Sequence, residues 1–336
     1  MREFKKENKV FIKSNNSTSK IFNRYLYCLI PFLLLIVFYN LIWGSNIYVL
    51  NLFKSIFISL LISILTQYIF NLIKKEYNIS KVFLHDQILT ISIILGLFSI
   101  NSNIFLIIIS SLVTVIIKNI FRDINISSTL YGMLVILLYS YYTNDLNTPL
   151  TNLKELSYVG TYELMVTPHG GIVDYLFGLN NIYLSPILSV IAFIYLFNKK
   201  SIKYNIVFSY ILTFFIIMLL FGLFNNMNIW YLFLQLTTGN ILFLSVFCLT
   251  DYTNTPTTGE GQIIYGIILG ILTSVLRFVV PDLSVVISLI LGPILLTKII
   301  NRISFKLKYD KKYYYLILSI SIILVLITLI LLNILI

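Results

Sequence analysis

Long apolar runs separated by short polar and basic stretches organise this chain from about residue 25 to its end. Runs of roughly 18 or more apolar residues mark helices that cross a bilayer, since in lipid only a helix or a closed barrel satisfies every backbone polar group. The pattern predicts helices near 25–43, 50–73, 82–99, 103–120, 127–143, 183–198, 204–224, 228–249, 262–280, 283–300 and 313–336. The third opens on the polar run Leu84-His85-Asp86-Gln87 and is expected to be short or broken. Gly292-Pro293 predicts a kink in the tenth, tolerable if neighbours satisfy the freed carbonyl.

The spans divide as five, a long loop over 144–182, five more, and one appended helix. An odd number of spans per half gives the halves opposite orientations, the topology of an inverted repeat, which often places a site between the halves. No clear internal sequence similarity accompanies this topology. The expected fold class is an all-α polytopic membrane protein. Its core would be about ten transmembrane helices in two inverted five-helix halves, with one extra C-terminal helix. The expected units are a cytoplasmic basic tail (1–24), a first half (25–143), an outer loop (144–182), a second half (183–303), and a basic linker with the extra helix (304–336).

Composition supports this picture. Of 336 residues 58% are hydrophobic and 11% charged, with mean hydropathy +0.93, whereas soluble domains average about 25% charged. The first 20 residues are polar and basic and the first apolar run continues as a full span, so no cleavable signal peptide is expected. The net charge of +11 could suggest nucleic acid, but the cations flank the helices. They therefore indicate positive-inside topology and anionic headgroups, with no nucleic-acid partner. Lys74, Lys75, Lys81, Lys118, Arg122, Lys199, Lys200, Lys203 and the cluster from Lys298 to Lys312 fall on the same side as the basic amino terminus. The opposite loops and helix ends show only Lys154 and Arg277. This bias puts the N-terminus in the cytoplasm and the C-terminus outside a plasma membrane. Lys54 is expected to snorkel near the outer end of the second span. Cys28 and Cys248 lack metal-ligand spacing and are expected as buried thiols.

The polar loop 249–262, Leu-Thr-Asp-Tyr-Thr-Asn-Thr-Pro-Thr-Thr-Gly-Glu-Gly-Gln, holds no Lys or Arg, unlike its neighbours on the same side. It carries Asp251, Glu260 and many hydroxyls, and Thr258 leads into the ninth helix, whose N–H groups favour an anion. It is open to two readings, a capped turn without ligand or an anion site. His85-Asp86 is either a helix start among headgroups or an ionisable pair at membrane depth, where such groups are costly and often functional. Arg277 either snorkels outward or pairs with Asp282. The outer loop contains Thr167-Pro168-His169-Gly170-Gly171, with no second histidine nearby to complete a metal site. No nucleophile–base–orienter set, P-loop or dinucleotide fingerprint is present, which argues against a self-contained hydrolase or an NADH-binding subunit.

Gly239-Asn240-Ile241-Leu242-Phe243, Leu249-Thr250-Asp251-Tyr252, Thr255-Pro256-Thr257-Thr258, Gly261-Gln262-Ile263-Ile264-Tyr265-Gly266 and Arg277 together resemble one family. It comprises the D-type membrane component of the Rnf ion-translocating electron-transport complex and the homologous B-type component of the sodium-translocating NADH:quinone oxidoreductase. The likeness spans about 15–303, more loosely over 76–143, and leaves the last helix unmatched.

The resemblance implies a ten-helix, two-half bundle of urea-transporter-like architecture, and an FMN joined by a phosphoester bond to a threonine outside the membrane. In the family that threonine ends a Ser-Gly-Ala-Thr motif. Here Thr148-Pro149-Leu150 occupies the place, just beyond the fifth span, but Asp145-Leu146-Asn147 stands where Ser-Gly-Ala would be. Tyr142 replaces the upstream acidic position of the flavin-transferase recognition sequence. Tyr183-Leu184-Ser185-Pro186 stands where the family has Gly-Glu-Thr-Ser.

Thr148 is thus the candidate for covalent FMN. Asp251, Thr257 and Thr258 are candidates for a second, non-covalent flavin or for the ion path, with Asp86 a further ion-path carboxylate. The implied role is a membrane subunit of a redox-driven Na⁺ or H⁺ translocase, not catalytic alone. Its partners would be other membrane and peripheral subunits, a flavin transferase and the lipid bilayer. Two alternatives stay open: a non-redox transporter or channel with the same five-plus-five architecture, and a relay carrying electrons outward to extracellular flavoproteins.

Overall fold

The computed structural model describes residues 18–42, 46–73, 86–99, 102–120, 128–143, 176–177, 184–227, 229–250, 255–280 and 283–309, and every regular element among them is helical. The first half comprises α1 (Thr18–Ile42), α2 (Asn46–Ile73), α3 (Asp86–Phe98), α4 (Ile104–Ile120) and α5 (Ser128–Thr143). The second half comprises α6 (Pro186–Asn198), α7 (Tyr204–Phe224), α8 (Ile229–Thr237), α9 (Ile241–Phe247), α10 (Gly259–Val279) and α11 (Ser284–Leu291). A π-helical turn over Gly292–Leu296 joins α11 to α12 (Thr297–Tyr309). Lys20–Ile42, Ile47–Ile73, Tyr204–Phe224 and Gly259–Val279 are long and apolar enough to cross a membrane, and shorter apolar helices accompany them. The protein is an all-α polytopic membrane protein.

The two halves pack by one pattern. In the first, α2 lies against α3 and α4, α4 against α5, and α1 against α3. In the second, α7 lies against α10 and the α8–α9 pair, α10 against α11, and α6 against α9. Between the two sets α1 meets α6 and α5 meets α11.

Small residues set these interfaces, because lipid offers apolar helices no hydrophobic incentive to associate and close packing must supply the energy. Gly266 and Gly270 of α10 face Ser209 and Thr213 of α7. A Cβ on Gly266 would meet Ser209 Oγ and approach Ile206 O to 2.7 Å. A Cβ on Gly270 would meet Thr213 Oγ1. In the first half, Ser55 and Ser59 of α2 donate to Gly96 O and Ser92 O of α3, each at 2.9 Å. Near the other end of α2, Asn119 Nδ2 donates to Gln67 Oε1 at 3.0 Å, so two part-buried amides satisfy each other. The seam itself is aromatic: Phe32 of α1 meets Phe243 edge-on at 5.3 Å and Phe247 at 6.0 Å, and Tyr25 lies 5.8 Å from Phe247.

Four expected boundaries are corrected. The span expected over 228–249 is broken at Thr238-Gly239-Asn240, because Gly239 (φ 69) and Asn240 (φ 57) both adopt left-handed backbone, which cannot continue a right-handed helix. Asn240 Oδ1 holds the bend by accepting from Leu184 N at 2.7 Å. The helix expected over 262–280 starts at Gly259, because Thr258 caps it. The helix expected over 283–300 continues to Tyr309, and the kink expected at Gly292-Pro293 takes the form of the π turn. There Thr297 Oγ1 donates to Pro293 O at 2.7 Å. Helix α1 likewise begins at Thr18, ahead of the expected first span. The expected extra helix, 313–336, lies outside the described residues.

Candidate functional site

Helix α10 carries one cation in an otherwise apolar C-terminal stretch, Arg277, and buries it completely. Removing a guanidinium from water costs several kcal/mol unless its fork of donors is met. The break between α8 and α9 supplies acceptors. Arg277 Nε donates to Gln235 Oε1 at 3.0 Å and Nη2 donates to Thr238 Oγ1 at 2.7 Å. Gly239 closes over the group, since a Cβ there would collide with Nη1. The guanidinium points inward, which overturns the expectation that it snorkels; Asp282, its other expected partner, lies outside the described residues.

Gln235 is fully buried, and among the described residues its Nε2 meets no hydrogen-bond partner. A buried donor left unmet costs about 1–3 kcal/mol. Strain, a functional role or an ordered water are the usual reasons for such a group. One turn earlier Tyr231 is also buried, and its hydroxyl donates to Met218 Sδ at 3.8 Å. A second buried chain runs beside it. Tyr210 Oη lies 3.1 Å from Thr273 Oγ1, which lies 2.8 Å from Ser288 Oγ, so hydroxyls of α7, α10 and α11 meet in line.

The loop that lacks its own cation receives one from its neighbour. Lys203, between α6 and α7, places Nζ 2.6 Å from Thr255 Oγ1 and 3.3 Å from Pro256 O. Gln262 Nε2 also donates to Pro256 O, at 3.2 Å, and Thr257 N donates to Asn301 Oδ1 at 3.3 Å. Thr258 Oγ1 accepts from Gly261 N at 3.2 Å and caps α10. The described part of this turn is therefore capped and bonded to its surroundings, while Thr257 is exposed.

The remaining candidates do not join this cluster. Thr148, Asp251, His85 and His169 lie outside the described residues, and Asp86 is described only as the first residue of α3. Cys28 and Cys248 are buried and form no disulfide, as expected. Among the described residues no group of three or more His, Cys, Asp or Glu is placed to hold a metal. Gln235, Thr238, Tyr210, Thr273 and Ser288 do not stand out in the sequence as site residues. For Gln235 and Thr238 the signal is the polar run Gln235–Asn240 inside a span otherwise apolar, at membrane depth.

Repeated helix packing, a buried helix interrupted within the bundle, and a buried arginine at the interruption define a class: polytopic membrane proteins with polar machinery inside an apolar bundle. The chain belongs to the NQR2, RnfD, RnfE family, whose model matches residues 5–303. It is thus a membrane subunit of the Rnf/NQR type. The match ends inside α12, ahead of the final apolar run. No curated protein matches the chain.

Proposed function

We propose that this subunit holds FMN and relays electrons within a multisubunit complex that couples their transfer to Na⁺ or H⁺ translocation across the plasma membrane. The observation that carries the reading is the family match over residues 5–303, almost the whole bundle. Thr148 is the residue proposed to carry FMN through a phosphoester on its hydroxyl. When bound, the flavin would supply the redox chemistry, and the chain would position it and tune its surroundings. Asp251, Thr257 and Thr258 are proposed to border a second flavin or the ion path. Among the two that are described, Thr257 offers the exposed hydroxyl, while Thr258 Oγ1 serves the cap.

The test is in-gel flavin fluorescence of the chain co-expressed with a flavin transferase. Fluorescence that survives SDS in the wild type and vanishes in Thr148→Ala is expected. A dark wild-type band, or a Thr148→Ala band as bright as wild type, sinks covalent attachment at Thr148. A second reading, a non-redox transporter or channel, is favoured by Asp145-Leu146-Asn147 standing where the family motif has Ser-Gly-Ala. A purified chain without any flavin absorbance would move the assignment to it.

A further inference from the structure

Where the two halves meet along α1 and α6, the bundle leaves a cleft of about 260 Å³. Tyr27, Cys28 and Pro31 of α1 face Leu188, Ala192 and Tyr195 of α6 across it. The lining is aliphatic and aromatic apart from the phenol and thiol groups. Its volume falls below the roughly 300–1,000 Å³ usual for drug-sized ligands. It suits a narrow, flexible chain better than a ring system.

One end of the cleft is basic. On α1, Lys20 and Arg24 follow one another at helical spacing ahead of Tyr27. Just past the end of α6, Lys199 and Lys200 come one turn after Tyr195. A direct link brings these two ends together: Arg24 Nη1 donates to Lys199 O at 2.9 Å and to Ser201 Oγ at 2.7 Å. Lys20, Lys199 and Lys200 are exposed. Cationic rim and apolar cleft are thus continuous, in the order that an amphiphile with an anionic head and an aliphatic tail requires. Basic pockets between transmembrane helices hold anionic lipid headgroups by this combination.

We propose that the α1–α6 cleft binds one anionic phospholipid, with its phosphate at the rim formed by Lys20, Arg24, Lys199 and Lys200 and an acyl chain lying between Tyr27 and Ile191. The lipid would touch both halves and so belong to the seam. This proposal is independent of whether the chain carries a flavin.

Native mass spectrometry of the purified full chain tests it, with phosphatidylglycerol, phosphatidylcholine and inorganic phosphate titrated in separate arms. Phosphatidylglycerol should bind more tightly than phosphatidylcholine by on the order of tenfold at low salt, and the preference should shrink as salt rises. The double variant Lys199→Gln/Lys200→Gln changes two exposed side chains and should lose the preference while keeping weak binding of both lipids. Ile191 also lines the cleft and is exposed, and Ile191→Trp, which fills the cleft from that side, should weaken both lipids together. Equal affinity for the two lipids overturns the proposal, as does a preference that salt does not change or that survives the double variant. Displacement of the lipid by inorganic phosphate alone would also overturn it, since the tail would then contribute nothing. The salt series needs no variant, so it decides the matter even if Ile191→Trp does not fold.

Discussion

The guanidinium of Arg277 occupies the space that a side chain at residue 239 would need. Gly239 is required there twice, for this approach and for its φ of 69°. Gly239→Ala should therefore destabilise the protein by about 2 kcal/mol or more, the sum of backbone strain and displacement of a buried cation. Thermal unfolding in detergent checks it. An unchanged melting temperature would mean that Arg277 does not pack against the break.

The unmet donor on Gln235 makes a sharper prediction. Gln235→Leu leaves Arg277 Nε without its acceptor and should cost about 1–3 kcal/mol. Gln235→Glu removes the unmet N–H and keeps an oxygen for Arg277 Nε, so it should cost clearly less than Gln235→Leu. The order of the two melting temperatures is the readout. The reverse order would show that Arg277 does not need the oxygen at residue 235.

The α7–α10 interface predicts unequal effects for glycines on one helix. A Cβ at Gly266 would approach Ile206 O to 2.7 Å and Tyr210 N to 3.0 Å, both rigid backbone atoms. Gly266→Ala should cost about 1–3 kcal/mol through overpacking. At Gly259 the nearest neighbour is Asn205 Nδ2 at 3.7 Å. Gly259→Ala should be neutral or stabilising by up to about 1 kcal/mol, through a less flexible unfolded chain. Similar melting temperatures for the two variants would contradict the packing described.

The turn before α10 separates capping from ligand binding. Thr258→Ala should lower stability by about 1 kcal/mol, the usual cost of a lost N-cap hydroxyl. Thr257→Ala, exposed, should leave the melting temperature within about 0.5 kcal/mol of wild type. If Thr257→Ala instead abolishes electron transfer in the assembled complex while stability holds, the exposed hydroxyl serves a ligand.

Much of the helical architecture is readable in the chain because bilayer thickness and the lack of water impose it: a run such as 204–224 has no alternative to a helix. The helix interfaces are less legible. Gly266 and Gly270 stand four apart, but only the structure shows that Ser209 and Thr213 lie opposite them. The break in the eighth span escapes a hydropathy window, which averages over Thr238-Gly239-Asn240, whereas its cause is two left-handed residues in succession. Arg277 is misjudged from sequence for a related reason. Position along a span gives depth, but which way a long side chain turns depends on acceptors from another helix, here Gln235 and Thr238.

The hydroxyl–glycine fit of α7 against α10 and the ring-on-ring fit of α1 against α9 differ in mechanical character. Teeth of Ser209 and Thr213 set into the gaps at Gly266 and Gly270 resist sliding, because one residue of slip would drive oxygen into backbone. Rings such as Phe32, Phe243 and Phe247 can shift over one another without losing a directional bond. Polar ties across the seam stand apart from one another: Arg24 to Lys199 O and Ser201, Tyr25 to Thr250 at 3.1 Å, and Thr129 to Cys248 at 3.6 Å. Slip is thus opposed by interlocking within the second half and by separate polar ties where α1 meets α6 and α9.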